Sequence, residues 1–237
     1  MCGIVGYIGS QNAQDFVMDG LEKLEYRGYD SAGIAVNTGE SNLSVIKRKG
    51  RLQNLSNALK EYPLNGTMAI GHTRWATHGK PSDENSHPHY NKDKSLVVVH
   101  NGIIENYLEL KRELISKGYE FSSETDTEVV AHLLSELYNG DLLEATKKLL
   151  TIIKGAYALG IMSVNEPDRL IAARKESPLI VGLGQGENYI ASDIPAILKY
   201  TRDVYLIENN EIVELKKDSV KIMNSEGKEI KREITHI

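Results

Sequence analysis

Cysteine is nearly absent: the 237 residues contain one, together with one tryptophan, two phenylalanines and six prolines. A single thiol excludes an internal disulfide framework, which leaves an ordinary hydrophobic core to hold the fold and suits a reducing compartment. With 41% hydrophobic and 26% charged residues, and no low-complexity tract, collagen-like and disordered classes are excluded as well. A basic excess is also missing. The 28 Lys and Arg face 33 Asp and Glu, for a formal charge of −5, so no cationic field draws the chain to phosphate backbones or anionic lipid. Nucleic acid is not an expected partner. The longest apolar runs, at 96–99 and 157–162, fall far short of the ~20 residues that span a bilayer. No cationic region followed by a long apolar stretch opens the chain, so a cytoplasmic protein with no membrane association is expected. The sequons at Asn42, Asn54 and Asn65 then carry no weight.

What is present is a changing periodicity. Residues 3–8 read as a short buried strand. Over 14–24 the apolar residues Phe16, Val17, Leu21 and Leu24 fall on one helical face. Strands are expected at 33–36, 43–49 and 67–72, with a helix at 52–62. The valine run of 95–100 suggests a strand covered on both faces. After Asn101-Gly102 the pattern turns helical, with Ile104, Tyr107, Leu108, Leu114 and Ile115 to one side and Lys117-Gly118 as the stop. A second helix is expected from Thr125, where Thr125-Asp126-Thr127-Glu128 fits a capping box. A third is expected over 142–153. From 156 onward the chain is strand-rich, at 157–163, 170–173, 179–182, 189–192, 204–207, 212–215 and 220–223. No repeat or linker interrupts it, so residues 1–237 are expected to form one domain. Strand and helix do not alternate throughout, which argues against one open parallel sheet. Two sheets packed face to face with helices outside, an α+β fold, fit better.

Several residues carry chemistry. The lone cysteine is residue 2. If the initiator Met is removed, its thiol lies beside a free α-amino group that titrates near ~8, so one residue holds both nucleophile and base. Five of seven histidines, His72, His78, His87, His89 and His100, fall between 72 and 100. Their spacing lacks the two histidines of one helix face and the paired cysteines of a metal site, so no metal is expected. GHTRWATHG, residues 71–79, leaves a strand for a loop containing Arg74, Trp75, Thr77 and His78; it suits a lid whose guanidinium grips a carboxylate. VVVHNG, residues 97–102, ends on Asn101-Gly102, which reads equally as a turn or as a pair of donors aimed at an oxyanion. Asp126 reads either as an acid favoured by a helix N-terminus or as a counter-charge for an ammonium. VGLGQGENY, residues 181–189, has Glu187 where a dinucleotide fingerprint needs glycine, and that reading is discarded.

Taken together, CGIVG (2–6), LEYRGYDSAG (24–33), GHTRWATHG (71–79), SHPH (86–89), VVVHNG (97–102) and SETDTE (123–128) resemble the glutaminase domain of the class II, or N-terminal nucleophile, glutamine amidotransferases, most closely the sugar-phosphate branch. The resemblance covers nearly the whole chain and implies a four-layer α-β-β-α sandwich. It implies that Cys2 attacks the side-chain amide of L-glutamine, its own α-amino group moving the proton through a water. Asn101 and Gly102 would hold the oxyanion, Arg74 the α-carboxylate and Asp126 the α-ammonium. Thr77 and His78 would complete the cradle, Trp75 would belong to the lid, and Arg27 and Tyr29 would lie close by. No cofactor or metal is implied. The implied products are glutamate and ammonia, the ammonia serving glucosamine 6-phosphate synthesis from fructose 6-phosphate in a full-length enzyme. The partner would be a sugar-phosphate isomerase domain, absent from these 237 residues, or a separate synthase chain. Other readings are amidation of phosphoribosyl pyrophosphate and a non-catalytic glutamine-sensing module.

Overall fold

The computed structural model describes residues 2–76 and 78–237. The described residues open with β1 (Gly3–Ile8), α1 (Ala13–Leu24), β2 (Ser31–Val36), β3 (Ser44–Lys49), α2 (Leu52–Glu61) and β4 (Met68–Arg74). The middle of the chain holds β5 (His89–Tyr90), β6 (Leu96–Gly102), α3 (Tyr107–Ser116), α4 (Glu128–Leu137) and α5 (Leu142–Ile152). Strands follow: β7 (Tyr157–Ser163), β8 (Leu170–Lys175), β9 (Ile180–Leu183), β10 (Asn188–Ala191), β11 (Asp203–Leu206), β12 (Glu211–Lys216), β13 (Ser219–Met223), β14 (Glu229–Ile230) and β15 (Thr235–His236).

The strands form two antiparallel sheets, ordered β15-β11-β9-β10-β1-β4-β2-β3 and β14-β13-β12-β8-β7-β6-β5. Successive side chains of a strand point to opposite faces, and here both faces are covered. Along β1, Ile4 and Ile8 pack between the sheets while Val5 and Tyr7 pack beneath α1. Along β6, Val97 and Val99 point between the sheets and Val98 faces the other helical layer. Ile4, Ile70 and Ile190 of one sheet thus meet Val97, Val99 and Ala172 of the other, each large aliphatic contributing about 1.5–3 kcal/mol on full burial. Helices α1 and α2 cover the outer face of the first sheet, and α3, α4 and α5 that of the second. The layers run α-β-β-α, as the sequence implies.

Local chemistry explains where the elements begin. The Asn12 side chain caps α1 by accepting from Gln14 N–H, and Asp141 caps α5 by accepting from Leu143 and Glu144 N–H. The expected capping box at Thr125 does not form. Helix α4 starts at Glu128, whose carboxylate accepts instead from Ser122 and Ser123 N–H, and the Thr125 hydroxyl bonds His89 Nε2 at 2.9 Å. The helix expected from Ile104 also begins later, at Tyr107; it buries Leu110 and Leu114, whereas Leu108 and Ile115, expected on its inner side, are exposed. Asn101-Gly102 makes no turn, because β6 runs through both residues against β7.

Candidate active site

Cys2 precedes β1, whose neighbours β4 and β10 hold it in the middle of its sheet. Its half-buried Sγ accepts a hydrogen bond from Trp75 N–H at 3.2 Å, and Trp75 O lies 3.6 Å away as an acceptor for the thiol proton. Burial pushes the Cys2 thiol up from its ordinary value; the Asp30 charge also raises it, while the Trp75 bond and the Arg74 charge pull it down. The thiol is therefore protonated at neutral pH and needs a base.

Across the gap between the sheets, Asn101 and Gly102 end β6. Asn101 Nδ2 donates to Cys2 O at 3.1 Å. Gly102 has φ +118°, and a Cβ there would stand 2.1 Å from Ala156 O, so only glycine fits. Both residues are on strand backbone paired with β7, beside Cys2.

These groups line a cavity of about 310 Å³ with Arg27, Arg74, Trp75, His78 and Asp126. Every candidate residue among those described lines this cavity except Tyr29, which packs against Trp75. Thr77 lies outside the described residues. Arg74, 3% exposed, turns its fork onto its own loop: Nη2 donates to His78 O and to Gly79 O, the latter at 2.7 Å, and Asp30 stands 3.9 Å from Nη1. Asp126, 4% exposed, accepts from Ile104 N–H at 2.7 Å, and no ion pair engages it among the described residues. It does not belong to the first turn of α4, which starts two residues on, so the helix-terminus reading fails. Arg27 pairs with Asp193 at 3.2 Å and donates to Ser192 O. Trp75, 47% exposed, stands edge-on to Tyr29 at 5.3 Å, and His78 stands edge-on to Tyr107 at 5.2 Å.

Sequence reasoning missed part of the lining. His87, His100, Thr125, Thr127 and Ser177 also face the cavity. His87 stacks on the buried His72 ring with centres 4.0 Å apart and stands edge-on to His89 at 4.8 Å. Burial holds His72, His87, His89 and His100 below the ordinary imidazole value. The crowding of five histidines into residues 72–100 was the available signal.

Two antiparallel sheets between helical layers, with a cysteine at the head of a central strand facing an Asn-Gly donor pair, define the fold of the N-terminal nucleophile hydrolases. A family model described as "Glutamine amidotransferase domain" matches residues 72–199, more than half of the chain, and the protein belongs to that family. The glutamine-fructose-6-phosphate aminotransferase (isomerizing) of Clostridium tetani is 57% identical over all 237 residues, and that of Thermus thermophilus 53%. The chain spans 39% of the length of these curated relatives. Among solved structures, the glutamine phosphoribosylpyrophosphate amidotransferase of B. subtilis superposes with a TM-score of 0.81 at 30% identity, covering 94% of this chain and 49% of that one.

Proposed function

We infer that the protein hydrolyses L-glutamine to L-glutamate and ammonia through a thioester on Cys2. The observation that carries the reading is one cavity holding a cysteine sulfur, the Asn101 amide, a glycine of obligatory positive φ, a buried guanidinium and a buried carboxylate without an ion pair among the described residues. With Met1 removed, the Cys2 α-amine takes the thiol proton through a water as sulfur attacks the substrate carboxamide carbon. The carbonyl electron pair moves onto oxygen, where Asn101 Nδ2 and Gly102 N–H stabilise the oxyanion. The proton passes to the leaving nitrogen, ammonia departs, and water attacks the γ-glutamyl thioester to release glutamate and the thiol. Arg74 would receive the α-carboxylate in exchange for loop carbonyls, and Asp126 the α-ammonium. His78 and Thr77 would line the cradle, with Trp75 and Arg27 at its edge.

Residues 1–237 then constitute a glutaminase domain acting in the cytoplasm. The ammonia would serve the conversion of fructose 6-phosphate to glucosamine 6-phosphate, made by a sugar-phosphate isomerase domain continuing the chain or by a separate synthase partner. The 57% identity to sugar-phosphate relatives, against 30% to the phosphoribosylpyrophosphate enzyme, favours this acceptor. Glutamine-dependent ammonia release by purified protein tests the chemistry. Cys2→Ala is expected to abolish it; release equal to the parent's would refute Cys2 as the nucleophile, and a parent that releases none would leave a sensing module.

A further inference from the structure

Resting on that reading, we propose that His72 is a positioning residue: its Nε2–H locks the Asn101 amide in the one orientation that points Nδ2 at the reacting centre. His72 belongs to β4, in the sheet opposite Asn101, and its ring crosses the gap between the two sheets. Nε2 lies 3.1 Å from His100 O and 3.0 Å from Asn101 Oδ1. A backbone carbonyl only accepts, so the proton is on Nε2 and is shared between the two oxygens. The Asn101 atom facing that N–H must then be the oxygen. Its other end agrees, because the atom 3.1 Å from Cys2 O must be a donor. A flipped amide would set two donors against each other at His72 and two acceptors at Cys2, and would present an oxygen to the developing oxyanion.

Three further observations hold the ring in this role. It is fully buried, and burial, with His100 and Arg74 adding to it, pushes its pKa down to about 3, so the ring stays a neutral, single-donor imidazole. Its Nδ1 has no hydrogen-bond partner among the described residues, so no acceptor there competes with the two oxygens for the ring proton. The His87 ring lies on its face at 4.0 Å and 13° from parallel. His87 Nδ1 in turn accepts from His100 N–H at 3.3 Å, and a Cβ on Gly33 would meet His87 O at 2.0 Å. The stack leaves the ring little room to turn.

His72→Leu removes the donor without touching the cavity wall. Loss of a whole oxyanion donor costs on the order of 10²–10³ in kcat, and a misaimed one is expected to cost about 30-fold or more, with KM for glutamine within about twofold. His72→Gln, which returns an amide N–H at similar reach, should recover kcat to within about threefold of the parent. In an Asn101→Ala background His72→Leu should have no further effect on kcat, since the two act through one group. Additive losses, a KM rise matching the kcat fall, or an unaltered kcat would overturn the assignment. Should the leucine variant not fold, the glutamine variant decides: folded, with a loss as large as that of Asn101→Ala, it refutes the role. If the parent protein itself releases no ammonia, the glutaminase reading falls and His72 with it; an active parent beside an equally active His72→Leu removes His72 alone.

Discussion

The reactivity of Cys2 is set by opposing effects on one sulfur atom. A thiolate is the nucleophilic form, and burial disfavours it more than the Trp75 N–H and the Arg74 charge favour it, with the Asp30 charge adding to the rise. The sign follows directly: the thiolate fraction grows as pH climbs and does not level off until the raised pKa is passed. Alkylation of Cys2 by iodoacetamide should therefore keep accelerating through pH 9, the ordinary thiol value. A plateau near neutrality would mean a thiolate stabilised in the ground state, and the base would be superfluous. Asp126 was the residue whose role was least legible. A carboxylate just before a helix looks like a cap until the structure shows the helix starting two residues later and the carboxylate bonded to Ile104 N–H.

At the scale of elements, Glu128 does more than begin α4. Its carboxylate accepts from Ser122 and Ser123 N–H and from His132 Nε2 at 3.0 Å, tying the segment that carries Asp126 to the helix behind it. Burial raises its pKa and these bonds lower it, leaving it below the ordinary carboxylate value. Glu128→Ala leaves the buried donors Ser123 N–H and His132 Nε2 unsatisfied and is expected to cost about 2–6 kcal/mol in urea unfolding, at 1–3 kcal/mol for each group left unpaired. Thr125→Ala, which a capping box would make comparably costly, should lose only its bonds to His89 Nε2 and the Ser123 hydroxyl. Equal losses would restore the box. The helix α1 was readable because Phe16, Val17, Leu21 and Leu24 repeat at helical spacing and are all buried. The short strands β5, β14 and β15 were not, since two residues carry no periodicity, and β15 pairs besides with β11, a strand remote in sequence. Gly102 was half legible: the dipeptide suggested both a turn and a donor, and only the continuous pairing of β6 with β7 removes the turn.

For the molecule as a whole, the four-layer packing takes His72, His87, His89 and His100 out of water. In the unfolded chain each binds a proton near pH ~6.5; in the fold each stays neutral to lower pH, His72 down to about 3. The unfolded state thus binds more protons below pH ~6.5, and stability present above that value is lost as pH falls, by up to about 1.4 kcal/mol per pH unit for each histidine. The urea midpoint should drop between pH 7 and pH 5, and less so in His87→Gln; a midpoint independent of pH in that window would mean the stack is protonated when folded. The two-sheet architecture was legible from periodicity because both faces of β1 and β6 are apolar. The site was legible only as separate motifs, whose convergence depends on strands of opposite sheets meeting at one end.

The proposed mechanism requires a terminal residue that is nucleophile and base together. The most direct measurement is the intact mass, with peptide mapping, of protein quenched during glutamine turnover. The expected species lacks Met1 and carries a γ-glutamyl group on Cys2. Full activity in material that retains Met1, or an adduct on any other residue, would contradict it.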